Sequence, residues 1–360
     1  MTRSPACTAR SSLAACIAAA VSAVAPSAAA AFAEGAGPGT ATMRSTPVPD
    51  TVSPQIQKLI AASPPPTWNV IPDTAEGWRA QVEAGAAALV ATLPALRAQL
   101  HVKVEPQLID GVKTFVVTPE DVPARNRNRL LINVHGGCYV SFPGESGTLE
   151  AILMAGLGGF KVIAVDYRMP PDGPPYPAAL DDAMTVWKAA VKMAEPGNMA
   201  IFGSSAGGAL TLSMVLRAKQ ENLPLPAAIA PGTPMSDLTG RGDSFVTNGM
   251  LDNVLVAYGA SCDRRAALYA AGHDLKDPLL SPVYGDMHGF PPAILTTGTR
   301  DLLLSNTVRV HRRLREAGVE AVLQVFEGQS HAQYMRDASA PETRDAFGEI
   351  ALFLDRHLGK

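Results

Sequence analysis

Five residues in the middle of the chain read Gly-Ser-Ser-Ala-Gly, a G-x-S-x-G motif at positions 203–207. The motif follows a short apolar run (199–202) and precedes small residues from Gly208 onward, which predicts a strand turning sharply into a helix. Glycines two residues on either side of a central serine allow such a turn. The hydroxyl of Ser205 is therefore a candidate nucleophile, although the motif alone also arises by chance. Ser204 is a rival, but only Ser205 lies at the centre.

A second apolar run, residues 130–134, ends in His-Gly-Gly-Cys at 135–138. Two glycines directly after a buried strand let the backbone approach a ligand and direct N–H groups at developing negative charge. Together with the serine motif, this segment predicts oxyanion-hole donors from the backbone of Gly136, Gly137 and Ala206. Taken alone, the segment would be read as an ordinary glycine turn with a structural histidine.

Two further predicted strands, 292–297 and 321–326, are each followed by a residue suited to acid–base chemistry. Asp301 follows the first strand and His331 follows the second. Parallel strands bring their carboxyl ends to one edge of a sheet, where active sites assemble. The order serine, aspartate, histidine then predicts a catalytic triad of Ser205, Asp301 and His331. A lone loop histidine is usually a surface residue, but this one supplies the base that the set otherwise lacks.

From residue 103 onward, predicted strands and helices alternate, which indicates a mostly parallel sheet flanked by helices. The first two strands are separated by Asp110 and Gly111 and are expected to form an antiparallel hairpin. The predicted strands are 103–109, 113–118, 129–134, 161–165, 199–203, 226–231, 292–297 and 321–326, and the predicted helices are 147–158, 177–194, 207–221 and 304–317.

Several blocks of this sequence also carry a family resemblance. They are 135–138, 166–168 with 176–182, the serine motif, 236–239, 277–282, 298–301 and 328–331. Through them the chain, from about Val102 to its C-terminus, resembles the hormone-sensitive-lipase-like microbial esterases of the α/β-hydrolase superfamily. The resemblance implies an α/β-hydrolase fold with an eight-stranded sheet and a small helical cap. It also implies hydrolysis of carboxylic esters with short to medium acyl chains, with no cofactor and no metal.

The chain departs from this family at two positions. The family commonly has Gly where this chain has Cys138, and Asp or a small polar residue where it has Ser204.

Lactone hydrolysis at the same site, peptidase activity and a non-catalytic small-molecule binding role stay open as alternatives. The resemblance places substrate-pocket residues at Cys138, Tyr139, Met250, Leu251 and Ala332.

Two segments without predicted strands lie outside the alternation. Residues 53–100 predict N-terminal helices at 53–62 and 74–100, the second broken or kinked near Pro94. Residues 237–284 are expected to supply the rest of the cap, within a catalytic domain over 101–360. In the resembled family such helices cover the active site, and the alternative is a loosely attached helical arm.

The N-terminal 33 residues have two arginines, no acidic residue and an apolar stretch over 13–25, and they end in a small-x-small pattern at Ala33. This predicts a secretory signal peptide cleaved near Ala33 and an exported enzyme, followed by a flexible leader over 34–52. The stretch is too short and too alanine-rich for a membrane span. Lipidation at Cys16 is the alternative.

The net charge limits the classes of partner that the chain is expected to bind, and its few cysteines limit the possible disulfides. The chain has a net charge of −3 and no basic tract, which disfavours nucleic acid as a partner. A small-molecule ester is the expected substrate, and a homodimer stays open. Beyond the predicted signal peptide the only cysteines are Cys138 and Cys262. An exported protein could pair these two cysteines, but the sequence alone does not bring the two thiols within bonding distance, so both are expected to be free and the disulfide is the alternative.

Overall fold

One eight-stranded sheet organises the part of the chain that the computed structural model describes, residue 44 and residues 46–359. The strands are β1 (Val102–Ile109), β2 (Val112–Pro119), β3 (Leu130–Val134), β4 (Lys161–Val165), β5 (Met199–Ser204), β6 (Ala228–Gly232), β7 (Ala293–Gly298) and β8 (Ala321–Phe326). Their order across the sheet is β1-β2-β4-β3-β5-β6-β7-β8. Strand β2 pairs antiparallel with β1 and β4, and the other neighbours are parallel. The predicted fold class and opening hairpin are therefore confirmed.

The α-helices lie before, between and after these strands. They are α1 (Pro54–Ile60), α2 (Ala75–Val90), α3 (Leu93–Leu100), α4 (Leu149–Gly158), α5 (Ala178–Ala190), α6 (Ala206–Gln220), α7 (Ser244–Thr247), α8 (Ser261–Ala270), α9 (Leu304–Glu316) and α10 (Pro341–His357). Helices α5, α6 and α9 contribute to one hydrophobic core, and α4 and α10 to another. Because helices cover both faces, every residue of β3, β5, β6 and β7 is buried.

Two helix predictions differ from the structure. The helix expected over 74–100 is two helices, and the break lies at residues 91–92, before Pro94. Proline is tolerated in the first turn of a helix, where its missing N–H would have no partner, so Pro94 lies inside α3. Helix α10 was not predicted, although its buried Phe347, Ile350 and Leu354 follow a helical period.

The two strandless segments contact each other. The backbone N–H of Ser261 donates to the carbonyl of Trp68, and Arg265 donates to the side-chain oxygen of Gln81 at 2.5 Å. The side-chain amide of Asn253 donates to the carbonyl oxygen of Leu59, near the C-terminal end of α1, and to that of Ala62, just beyond it, both at 2.8 Å. The assignment of these segments to a cap domain stays a prediction.

The predicted signal peptide and residues 34–43 and 45 of the predicted leader lie outside the described residues. Of the remaining leader, Pro47 accepts a hydrogen bond from Arg300 through its carbonyl oxygen. Within the described part of the chain, no helix combines the length and apolarity needed to cross a bilayer.

Candidate active site

Ser205 lies at the sharp turn between β5 and α6. Its backbone has φ 62° and ψ −122°, a conformation that non-glycine residues adopt only where the surroundings enforce it. Its N–H donates to the carbonyl of Gly232 at 2.9 Å. A Cβ atom on Gly203 or Gly207 would lie 2.0 or 1.9 Å from the carbonyl oxygen of Val134. Both motif glycines are therefore required for the turn to reach the end of β3.

The two glycines after β3 adjoin this turn. A Cβ on Gly136 would lie 3.2 Å from the Cβ of Ser205 and 2.7 Å from the carbonyl oxygen of Ser204. Gly137 has φ 106° and would collide with the carbonyl of Ser141 if it carried a side chain. Ala206 is the first residue of α6, where backbone N–H groups lack partners within the helix. Gly136 thus packs against the nucleophile turn, and Ala206 directly follows Ser205.

Asp301 and His331 meet beyond the ends of β7 and β8. Nδ1 of His331 lies 3.0 Å from Oδ1 of Asp301, and both side chains are buried. The other carboxylate oxygen of Asp301 accepts hydrogen bonds from the hydroxyls of Thr233 and Thr297. Burial favours a higher pKa for Asp301, but the charge and hydrogen bond of His331 outweigh it and hold the pKa below its ordinary value. The aspartate is therefore an anion that can orient the imidazole.

A second buried carboxylate, Asp252, joins the two loops that carry these residues. Its Oδ2 accepts the backbone N–H of Leu302 at 2.8 Å and that of His331 at 3.2 Å. Its Oδ1 accepts the N–H groups of Val254 and Leu255. Burial and the charge of Asp301 raise the pKa of Asp252. Sequence reasoning named neighbouring residues but missed Asp252, because no periodicity marks an acid in a strandless segment.

Four of the five residues predicted for the substrate pocket are Tyr139, Met250, Leu251 and Ala332, and all four are buried or half-buried. Tyr139 is buried and stacks on Tyr269 of α8, with ring centroids 4.4 Å apart. Ala332 directly follows His331 and is also buried. The N–H of Met250 donates to the carbonyl of Val256 at 2.7 Å, and Leu251 is half-buried.

The prediction that Cys138 and Cys262 are free is wrong. The two form a disulfide across 124 residues of sequence, with their Cα atoms 5.5 Å apart. Helix α8 brings Cys262 beside the turn after β3, and nothing in the sequence indicates where that helix lies. Cys138 has φ 55°, in the region that favours glycine, which accounts for the glycine common at this position in the resembled family.

The site contains little solvent-accessible surface. Ser205 is 6% exposed and His331 is 4% exposed. Among the residues that the structure describes, no three histidine, cysteine or acidic side chains are grouped so that they could hold a metal ion. The chemistry that these residues can support is acyl transfer by a serine with a histidine base.

Comparison with known proteins agrees with this geometry. A family model described as the α/β hydrolase fold matches residues 131–335, which include every predicted triad and oxyanion residue. The chain belongs to the α/β-hydrolase family. It is similar to the crystal structure of an esterase E25, with 42% identity and a TM-score of 0.84 over 89% of this chain and 98% of the other.

Other similarities point to one group within the family. A crystal structure of an esterase from the bacterial hormone-sensitive lipase family is 26% identical, with a TM-score of 0.73, over 85% of this chain and 99% of that one. An acetyl-hydrolase of Streptomyces hygroscopicus is 29% identical over 66% of this chain and 79% of its own length. The predicted resemblance is confirmed, and the chain is an esterase-type hydrolase of the hormone-sensitive-lipase-like group.

Proposed function

We propose that this enzyme hydrolyses carboxylic esters of short to medium acyl chain length through Ser205, His331 and Asp301. The observation that supports this most strongly is the buried contact between His331 and Asp301, at the same edge of the sheet as the strained turn of Ser205. The names of the similar proteins, among them an acetyl-hydrolase and an esterase, support the substrate class.

In the proposed mechanism, His331 takes the proton of Ser205 as the serine oxygen attacks the ester carbonyl. Asp301 holds the imidazole in one tautomer and stabilises the imidazolium that forms. Backbone N–H groups of Gly136, Gly137 and Ala206 stabilise the oxyanion, each by roughly 2.7–4 kcal/mol. His331 then protonates the leaving alcohol, and a water molecule repeats the sequence to release the acid from Ser205.

The test is hydrolysis of p-nitrophenyl esters from acetate to palmitate by the wild type and Ser205→Ala. We expect the rate to peak at short or medium chains and to fall by roughly six orders of magnitude in the variant. Ser213→Ala is a matched control, because it removes a buried hydroxyl of α6, the helix that follows Ser205, and the oxygen of Ser213 has no hydrogen-bond partner within the described residues. Activity that survives in Ser205→Ala would contradict the proposal.

The same assay separates the alternative substrate class. A lactone hydrolase would use the same three residues and would differ in the shape of its pocket. If the wild type labels with a serine-directed phosphonate at Ser205 but cleaves none of the esters, lactones become the next substrates to measure. Cleavage of acetate and butyrate esters at higher kcat/KM than any lactone supports the ester proposal.

We also infer export, on two grounds. The first 33 residues predict a signal peptide, and a disulfide such as Cys138–Cys262 persists in oxidising compartments. Fractionation of cells that express the full chain tests this, and enzyme retained with an intact N-terminus in the reducing cytosol would contradict it. The homodimer stays a prediction, which light scattering of the purified enzyme can test.

A further inference from the structure

A buried carboxyl group lies directly behind the nucleophile turn. Glu150, in the first turn of α4, accepts two hydrogen bonds from Ser204, the residue before Ser205. Its Oε1 accepts the Ser204 hydroxyl at 2.6 Å and its Oε2 accepts the Ser204 backbone N–H at 3.1 Å. The amide of Asn133 in β3 approaches Oε2 at 3.5 Å. One acidic side chain from a helix therefore binds both the backbone and the side chain of the residue preceding the nucleophile.

The same serine contacts the loop of the catalytic histidine. The hydroxyl of Tyr334 lies 2.5 Å from Oγ of Ser204. A serine hydroxyl has one hydrogen, which Ser204 donates to the ionised form of Glu150, and in that state Tyr334 is the donor to Ser204. Tyr334 lies three residues after His331. The hydrogen bonds therefore run from Tyr334 to Ser204 to Glu150, and we refer to these three residues as the elbow network.

The three side chains of the elbow network are buried and closely packed. All three side chains are buried, and Ser204 is fully so. A Cβ on Gly232 would lie 2.1 Å from the Tyr334 hydroxyl oxygen and 2.5 Å from Oγ of Ser204. The carbonyl of the same glycine accepts the N–H of Ser205. Because its hydroxyl is engaged on both sides, Ser204 is not available as a rival nucleophile.

We propose that Glu150, acting through Ser204 and Tyr334, is a positioning residue that holds Ser205 in its strained conformation and in register with the His331 loop. This inference rests on the proposed function. The resembled family commonly has Asp or a small polar residue at position 204, whereas here position 204 is Ser and a carboxyl group from α4 binds it. The network is the only side-chain connection from the Ser204 hydroxyl to the histidine loop among the hydrogen bonds of the described residues.

The direct test compares Ser204→Ala and Tyr334→Phe with the wild type. Each removes one hydroxyl and keeps the fold's apolar contacts. We expect kcat to fall roughly 10- to 100-fold, the size of effect that a small misplacement of reacting groups produces, while KM stays within a few-fold. Thr148→Val is the control, because it removes a buried hydroxyl that bonds only a local carbonyl at the start of α4.

A rescue variant separates positioning from general stability. Glu150→Ala leaves a cavity and can fail to fold, so the informative change is Glu150→Gln combined with Ser204→Asp, which returns the carboxyl group to the position where the family carries it. We expect this double variant to recover kcat to within about fivefold of the wild type, in line with the energy of one or two buried hydrogen bonds. Failure to exceed the kcat of Ser204→Ala would overturn the inference.

A phosphonate ester that labels serine nucleophiles supplies the second readout. Rates are normalised to the fraction of enzyme that labels at Ser205, and the rate of labelling is measured for each variant. We expect labelling of Ser204→Ala and Tyr334→Phe to slow in parallel with kcat. Full labelling rates and unchanged kcat per labelled site would overturn the positioning role. A wild type that does not label at Ser205 would instead refute the proposed function.

Discussion

The two halves of the catalytic site are held by different parts of the molecule. The nucleophile half is held by the sheet, because Gly203 and Gly207 press against β3 and the N–H of Ser205 bonds to β6. In the acid–base half, the hydroxyls of Thr233 and Thr297, at the ends of β6 and β7, bind the Asp301 carboxylate. Side chains of the strandless segment at 237–284 bind the backbone of the loops that carry Asp301 and His331. The nucleophile turn is thus held by the sheet, whereas the acid–base loops also depend on an inserted segment.

Three polar residues of that segment make the contacts to the acid–base half. Asn248 donates to the carbonyl of Asp301 at 2.8 Å, and the N–H of Asn253 donates to the hydroxyl of Ser330 at 3.1 Å. Asp252 accepts the N–H groups of Leu302 and His331. On the nucleophile side, the segment is joined covalently by the disulfide at Cys138. Changes in the segment should therefore affect the orientation of the acid and base, and the disulfide should affect stability.

Among the changes that test this comparison, the largest effect is expected from Asp301→Asn, which acts on the acid–base half alone. An amide cannot stabilise the imidazolium or hold the required tautomer, so kcat should fall by roughly 10⁴-fold while the protein stays folded. Steady-state kinetics and circular dichroism check this, with the exposed Asp345→Asn on α10 as control. A nearly wild-type rate would show that another acid orients His331.

The second-largest effect is expected from loss of the disulfide, which tests the covalent link between the strandless segment and the nucleophile half. Cys262→Ser releases a loop of 124 residues from its constraint in the unfolded chain and should lower the free energy of unfolding by about 5 kcal/mol. Urea titration measures this. A reductant should destabilise the wild type to the same extent and leave the variant unchanged. Equal stability of the oxidised wild type and Cys262→Ser would contradict the prediction.

The pH dependence of stability tests the buried acid of the elbow network. Burial raises the pKa of Glu150 to about 7, above its ordinary value of 4.5, against the hydrogen bonds from Ser204 and Asn133. Because the pKa of Glu150 is raised, the folded state binds this proton more tightly than the unfolded state does. The contribution of this proton to stability is fully present below pH 4.5 and is lost as the pH rises through 7. The free energy of unfolding should fall by about 3 kcal/mol over this range. Glu150→Gln should remove this decline in the free energy of unfolding between pH 4.5 and 7, whereas Glu83→Gln, at an exposed position, should keep it. Parallel pH profiles for the two variants would show that Glu150 does not cause the decline.

The smallest effect is expected from Asp252→Asn, and it tests whether the strandless segment positions the acid and base. The variant keeps the shape of the side chain but turns one acceptor into a donor facing backbone N–H groups. We expect kcat to fall roughly tenfold to a hundredfold with little change in KM. The exposed Asp243→Asn in the same segment is the control. A loss confined to KM would assign Asp252 to substrate binding.

The sequence by itself determined the sheet, the nucleophile turn and the order of the three candidate catalytic residues. Each of these depends on local patterns, because a buried strand such as β5 is a continuous apolar run and the turn at Ser205 needs glycines at fixed offsets. The carboxyl ends of parallel strands then bring Asp301 and His331 to one edge without further information.

Only the tertiary structure decided what supports those residues. The disulfide, the bonds of Asp252 to Leu302 and His331, and the bonds between Glu150, Ser204 and Tyr334 each join residues more than 45 positions apart. Their partners lie in segments or on helix faces whose position depends on packing rather than on periodicity. A buried polar side chain is stable only where the fold supplies its hydrogen bonds, so its role becomes visible once those partners are in place.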